Sequence, residues 1–196
     1  MERNGINKHV VIVTGKAGSG KSTVCKILEK VGFKVIDVDK IAHSLLDELK
    51  EVLIDKFGKS ILSPLGNIDR KKLGEIVFRD ESKMKELEEA IHPHLSDRIR
   101  KEIERLSGNI AIDVAIPGKL GIFDLADFTI YLSVDESNLI KRLIAKGWSE
   151  EKIYSILRQQ QLEQPLGRVY ELSNNGDLSS LERTVLDIIK KEGLVP

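Results

Sequence analysis

Short apolar runs alternate along this chain with stripes of helical period, the pattern of strands laid between helices. The run from His9 to Thr14 predicts a buried strand that Gly15 ends, and Val24, Ile27, Leu28 and Val31 then recur at helical spacing with Gly32 placed to close the helix. Phe33 to Val38 predicts the second strand. Ile41, Leu45, Leu49, Val52 or Leu53, and Phe57 share one face of a single long helix that Gly58 can end. From Asp69 to Leu106 the period is helical throughout, carried by Leu73, Ile76 and Val77, by Met84, Leu87 and Ile91, and by Leu95, Ile99, Ile103 and Leu106. Within it, Pro93 predicts a helix start.

Strands return at Asn109 to Val114 and Phe128 to Val134, and Ser133 with Glu136 has the spacing of a capping box for a helix carrying Leu139, Ile140, Leu143 and Ile144. Ile153, Ile156 and Leu157 extend this into a helical hairpin. A weaker strand, Val169 to Leu172, passes through Asn174, Asn175 and Gly176 into a final helix with Leu178, Leu181, Val185 and Ile188. The fold class is therefore α/β: a five-stranded, mainly parallel sheet with helices on both faces, a helical insertion and a short helical lid. The expected core is 1–58 with 108–196, the lid about 140–165 and the insertion 59–107.

Lys+Arg and Asp+Glu both number 31, so the formal net charge is zero and no overall field draws the chain to nucleic acid or an anionic membrane. A small-molecule partner is expected instead. The one cysteine, Cys25, excludes an internal disulfide and fits a reducing compartment, where it reads as a small buried hydrophobe. No run approaches the roughly 18 apolar residues of a membrane helix, and the early run Val10 to Val13 is too short for a signal-peptide core. We expect a cytoplasmic protein, monomeric, with weak self-association as the alternative.

The strongest chemical signal is Gly15-Lys16-Ala17-Gly18-Ser19-Gly20-Lys21-Ser22, which matches G-x-x-x-x-G-K-[ST] directly after a strand and at the start of a helix. Such a loop turns successive backbone N–H groups onto phosphate oxygens and adds the positive end of the helix dipole. Lys21 is the expected charge on the β and γ phosphates, and the Ser22 hydroxyl an expected Mg²⁺ ligand. Thr23 completes the nucleotide-binding stretch. The loop by itself does not distinguish hydrolysis, switching and phosphotransfer.

Val35-Ile36-Asp37-Val38-Asp39 brings two carboxylates to the end of the second strand, and alternation points both to one face. Asp39 is the candidate general base for an attacking hydroxyl, with an N-cap as the alternative. Asp37 is expected to position a partner or fix the turn. His43 lies one helical turn beyond Asp39, as a hydrogen-bonder or as an acid or base. His92-Pro93-His94 lacks helical ligand spacing and is not read as a metal clip. Asp113, after Ile110-Ala111-Ile112, has the form of a Walker B aspartate that holds Mg²⁺, or of a plain polar strand end. Arg142 is a candidate for charge developing on the transferred phosphoryl group, or an ordinary surface arginine.

The stretches Thr14 to Thr23, Val35-Ile36-Asp37-Val38-Asp39-Lys40-Ile41-Ala42-His43, Gly66-Asn67-Ile68-Asp69-Arg70 with Leu73 and Val77-Phe78, Leu87-Glu88 with Ile91-His92-Pro93, Lys141-Arg142-Leu143, and Asn174-Asn175-Gly176 stand in an order that resembles the dephospho-CoA kinase family of P-loop proteins. The resemblance implies a P-loop NTPase fold and transfer of the ATP γ phosphate, with Mg²⁺, to the ribose 3′-hydroxyl of dephospho-CoA, the closing step of coenzyme A synthesis. It implies Asp39 as base and Arg142 as a lid arginine. Asn174, Asn175 and Gly176 would lie at the adenine, and Asp37, His43, Arg70 and His92 on the acceptor side. Three segments depart from the family pattern: Ala115-Ile116-Pro117-Gly118-Lys119, Lys146-Gly147, and Val169 to Ser173. They keep open a kinase for another nucleotide-like or small hydroxyl acceptor. A nucleotide-dependent switch or binding module is the further alternative; no Asn-Lys-x-Asp stretch follows a late strand to support it.

Overall fold

The computed structural model describes residues 8–160 and 164–194, so the outer ends of the expected core and positions 161–163 of the expected lid fall outside the described residues. Contacts divide the chain into two compact units: Val38–Ile99, and Met1–Asp37 with Arg100–Pro196.

The larger unit is a five-stranded sheet, every strand parallel: β1 (Val10–Gly15), β2 (Lys34–Asp37), β3 (Ile110–Asp113), β4 (Phe128–Ser133) and β5 (Val169–Ser173), in the order β2-β3-β1-β4-β5. Strands buried on both faces need apolar residues at every position, and β1 is buried from end to end. Val11, Val13, Ala111, Ile130, Leu132 and Leu172 pack on Val24, Ile27 and Leu28 of α1 (Lys21–Lys30) and on Leu181, Val185 and Ile189 of a C-terminal helix, Leu178–Lys191. The alternate positions Val10, Ile12, Ile110 and Ile112 are buried as well. The chain leaves β1 toward β2 and returns on its other side with β4, so β1 is the switch point of the sheet, and the crevice beyond its C-terminal end is where such sheets bind ligands.

In the helical unit lie α2 (Val38–Glu48), α3 (Lys50–Phe57), a 3₁₀ turn at Lys59–Ile61, α4 (Arg70–Val77) and most of α5 (Glu81–Arg105). Its core joins Leu53, Phe57, Ile61, Ile68, Leu73 and Val77. That cluster unites α3 with the later helices, so the compact unit begins at Val38, whereas periodicity marked out 59–107. Asp69 caps α4 by accepting from the Lys71 and Lys72 amides at 3.0 and 3.2 Å.

Four local expectations are corrected. The long helix over residues 41–57 is two helices, broken at Leu49 (φ −94°, ψ 17°); the break lets Leu53 and Phe57 join the cluster with Ile61 and Ile68 while Leu45 stays buried on its own stripe. Pro93 starts no helix but sits inside α5. Its missing N–H costs about 3 kcal/mol, which burial of Ile91, Leu95 and Ile99 on one stripe offsets. Ser133 is not the cap, because β4 continues through it in register with Ser173; the N-cap position, at the head of α6 (Glu136–Ala145), falls on Asp135, whose side chain makes no capping bond among the described residues. Finally, β2 ends at Asp37 and Val38 already opens α2, so Asp39 lies in the first turn of a helix and not on a strand tip.

α6 is followed by α7 (Glu150–Gln160) and, after β5, by α8, the Leu178–Lys191 helix. Leu139, Leu143, Ile153 and Leu157 give the α6–α7 hairpin a small core of its own. Among the described residues no helix is long and apolar enough to cross a membrane.

Candidate active site

The loop that leaves β1 is shaped by backbone that only glycine adopts readily. Gly15, Gly18 and Gly20 have φ of 143°, 80° and 103°, where an L side chain is strained. A Cβ on Gly15 would lie 2.5 Å from the Leu132 carbonyl oxygen, and one on Gly20 would lie 2.3 Å from Asn174 Nδ2. Gly20 is also the N-cap of α1 and has no side chain with which to cap it; a helix start of this kind turns its first amides to a ligand. The Lys21 ammonium donates to the Gly15 carbonyl at 3.1 Å, folding the side chain back over the loop. The Ser19 hydroxyl is buried and finds no partner among the described residues.

Next to the loop stands the pair expected to hold a metal. The Ser22 hydroxyl donates to Asp113 Oδ2 at 2.9 Å. Asp113 ends β3 directly beside Asp37, its register partner at the end of β2, so two carboxylates stand side by side on one edge of the sheet. A hydroxyl and a carboxylate form an all-oxygen donor set, which suits a hard cation such as Mg²⁺ with water and phosphate oxygens completing the shell.

Asn174 ties the end of β5 to the glycine-bent loop and to β4. Its buried Nδ2 donates to the Ser19 carbonyl at 2.7 Å, and its backbone N–H to the Ser133 carbonyl at 2.9 Å. Arg142, from α6, donates to the Gly18 carbonyl at 3.3 Å and to the Asn174 carbonyl at 2.8 Å, so in this conformation it clamps two loops together. Asn175 Oδ1 accepts from the Asp135 amide at 3.0 Å and from Asn138 at 3.3 Å. Between these elements lies a cavity of about 500 Å³, lined by Gly18, Gly20, Thr23, Arg142, Lys146 and Gly176 among others, a size that suits a nucleoside. Asn174→Ala is expected to lower stability by about 1–3 kcal/mol, because the Ser19 carbonyl loses its buried donor. A denaturant midpoint equal to that of the parent protein would show that the bond contributes nothing.

Asp39, His43, Arg70 and His92 belong to the helical unit. Asp39 and His43 are both exposed on α2, one turn apart; Arg70 is the exposed first residue of α4; His92 is half-buried within α5. Cys25 is no reactive site: burial, reinforced by the nearby Asp113 carboxylate, pushes its thiol far above the usual cysteine range. One residue of the sheet unit was not foreseen. Gln160, at the end of α7, accepts from the Ala17 amide of the phosphate loop at 2.8 Å. A glutamine beside others on a helix carries no sequence signal for such a role.

A parallel sheet of this order, with a glycine-bent loop leaving its central strand and a lysine and a Ser–Asp pair at the loop, defines a P-loop nucleotide-binding fold. A family model described as dephospho-CoA kinase matches residues 9–178. A dephospho-CoA kinase of Carboxydothermus hydrogenoformans is 34% identical over 93% of both chains, and one of Aquifex aeolicus is 32% identical over 91% of this chain and 95% of its own. Among solved structures, the Thermus thermophilus protein TT1252 is similar with a TM-score of 0.76 at 25% identity, covering 94% of this chain and 97% of its own. Dephospho-CoA kinase from Campylobacter jejuni shares the fold with a TM-score of 0.65 at 24% identity over 94% and 96%. The chain belongs to the dephospho-CoA kinase family, and with it to the ATP-using kinases.

Proposed function

We propose that this protein transfers the γ phosphate of ATP to the ribose 3′-hydroxyl of dephospho-CoA, giving coenzyme A and ADP. The observation that carries the reading is the family match over residues 9–178, which takes in both the phosphate loop and the stretch from Asp37 to His43. In this reading the amides of Gly15 to Thr23 bind the triphosphate, Lys21 neutralises the β and γ phosphates, and Asn174, Asn175 and Gly176 border the adenine. Ser22 and Asp113 would hold Mg²⁺, which when bound draws charge from the phosphate oxygens. Asp39 takes the proton of the attacking hydroxyl, so that an O–P bond forms as the bond from the γ phosphorus to the bridging oxygen of ADP breaks. Arg142 turns from its carbonyl partners to the transferred group. Asp37, His43, Arg70 and His92 bind the acceptor. The enzyme acts as a cytoplasmic monomer.

Purified protein given MgATP and dephospho-CoA is expected to form ADP and a product phosphorylated at the 3′ position, detected by mass. ADP release only with some other hydroxyl acceptor, and none with dephospho-CoA, would overturn the choice of acceptor. The three departing segments make that comparison worth running: Pro117 and Ala115 line a small cavity beside the loop, and Lys146 lines the nucleoside cavity.

A further inference from the structure

The contact between Gln160 and the loop goes beyond the roles assigned so far. Because the Ala17 main-chain nitrogen can only donate, the carboxamide atom that meets it at 2.8 Å must be the oxygen Oε1. The carboxamide NH₂, bonded to the same carbon, is thereby held at the loop with two donors, and no bond from it is found among the described residues. Among the described residues, cavities lie on either side of the loop. The nucleoside-sized one is bordered by Gly18, Gly20 and Thr23, while a small one of about 10 Å³ is bordered by Thr14, Gly15, Lys16, Tyr131 and Gln160. The nucleoside-sized cavity thus lies on the Gly18–Thr23 side of the loop and Gln160 on the Thr14–Lys16 side, so a triphosphate running from the first along the loop would bring its terminal group toward Gln160. Ala17 also packs against the core of the α6–α7 hairpin, and a Cβ on Gly18 would lie 3.2 Å from Leu143, so the hairpin that carries Gln160 is docked on the loop.

We propose that Gln160 is a terminal-phosphate ligand: anchored through Oε1 on the Ala17 amide, it donates its NH₂ to a γ-phosphate oxygen and so helps the site tell ATP from ADP. The proposal rests on the phosphate-loop reading above but not on the identity of the acceptor.

Nucleotide titrations of the full chain, with Mg²⁺ and without acceptor, test it. A lost hydrogen bond to a charged group weakens binding roughly tenfold or more. Gln160→Ala is therefore expected to raise the Kd for ATP about tenfold and to leave that for ADP within about twofold. Gln160→Glu separates the two halves of the side chain. Its carboxylate still accepts from Ala17 but has no donor and repels phosphate, so it should bind ATP no better than Gln160→Ala while ADP binding again holds. Unchanged ADP affinity also reports an intact fold in each variant; should the alanine variant fail to fold, the glutamate variant decides alone. The proposal is overturned if Gln160→Glu binds ATP as well as the parent protein, or if the variants weaken ATP and ADP equally, because Gln160 would then only pin the hairpin. Failure of the parent protein to bind either nucleotide would instead refute the phosphate-loop reading itself.

Discussion

Lys21→Ala is expected to lower phosphotransfer by about 10³-fold, the upper part of the range for removing one fixed donor from a developing charge, while leaving the protein folded. The lysine is half-buried and its ammonium meets the Gly15 carbonyl, so its loss opens no apolar cavity. What disappears is the positive charge that the loop brings to the phosphates. What remains near them is a carbonyl dipole, that of Gly15, with its negative end uncovered. Both changes raise the energy of a transition state richer in exposed negative charge than the bound ground state. Lys21→Arg should not restore the rate, because a planar guanidinium is broader than an ammonium and the loop closes on glycines whose added Cβ atoms would already collide. Initial rates with MgATP and dephospho-CoA, beside a thermal midpoint for each variant, check this. A rate within threefold of the parent protein, at an unchanged midpoint, would mean that the ammonium takes no part in the transfer.

The glycine-bent loop after β1 was legible in the sequence because its signal is local. The apolar run ending at Gly15, the glycines at Gly18 and Gly20, and the Lys21-Ser22 pair define backbone and ligand groups within eight consecutive residues, and the structure bends there as those residues require. The place of Asp113 was legible for a similar reason, as a polar residue closing a buried strand, and parallel pairing brings it to the Ser22 hydroxyl. The break at Leu49 and the unbroken passage of α5 through Pro93 were not legible. Each is decided by which cluster buries a stripe, and the local spacing is the same either way. The partners of Arg142 were hidden because both are main-chain carbonyls, from Gly18 and Asn174, which any residue could supply. Gln160 was hidden more deeply still: its contact joins positions 143 residues apart, and glutamine on a helix is ordinarily solvated.

The second large effect is expected at Asp39. Asp39→Asn should leave ATP affinity within about twofold and lower turnover with dephospho-CoA by about 10²-fold or more, the usual consequence of losing a general base. The substitution suits the question because asparagine has the same shape and can still accept a hydrogen bond from the acceptor hydroxyl, yet cannot take its proton. The position suits it too. Asp39 is exposed in the first turn of α2, where either residue is tolerated, and the neighbouring Val38 provides the buried contact. A change in turnover is then not a change in folding. Asp39→Ala separates proton removal from orientation: if both variants lose the same rate, the carboxylate acts as a base, and if asparagine keeps most of the activity that alanine loses, Asp39 only orients the hydroxyl. Asp37→Asn belongs in the same series, since Asp37 ends β2 beside Asp113 and is the other carboxylate within two residues. Were Asp37→Asn the variant that abolished turnover with Asp39→Asn unaffected, the base would lie on the sheet unit, and α2 would serve the acceptor by binding alone.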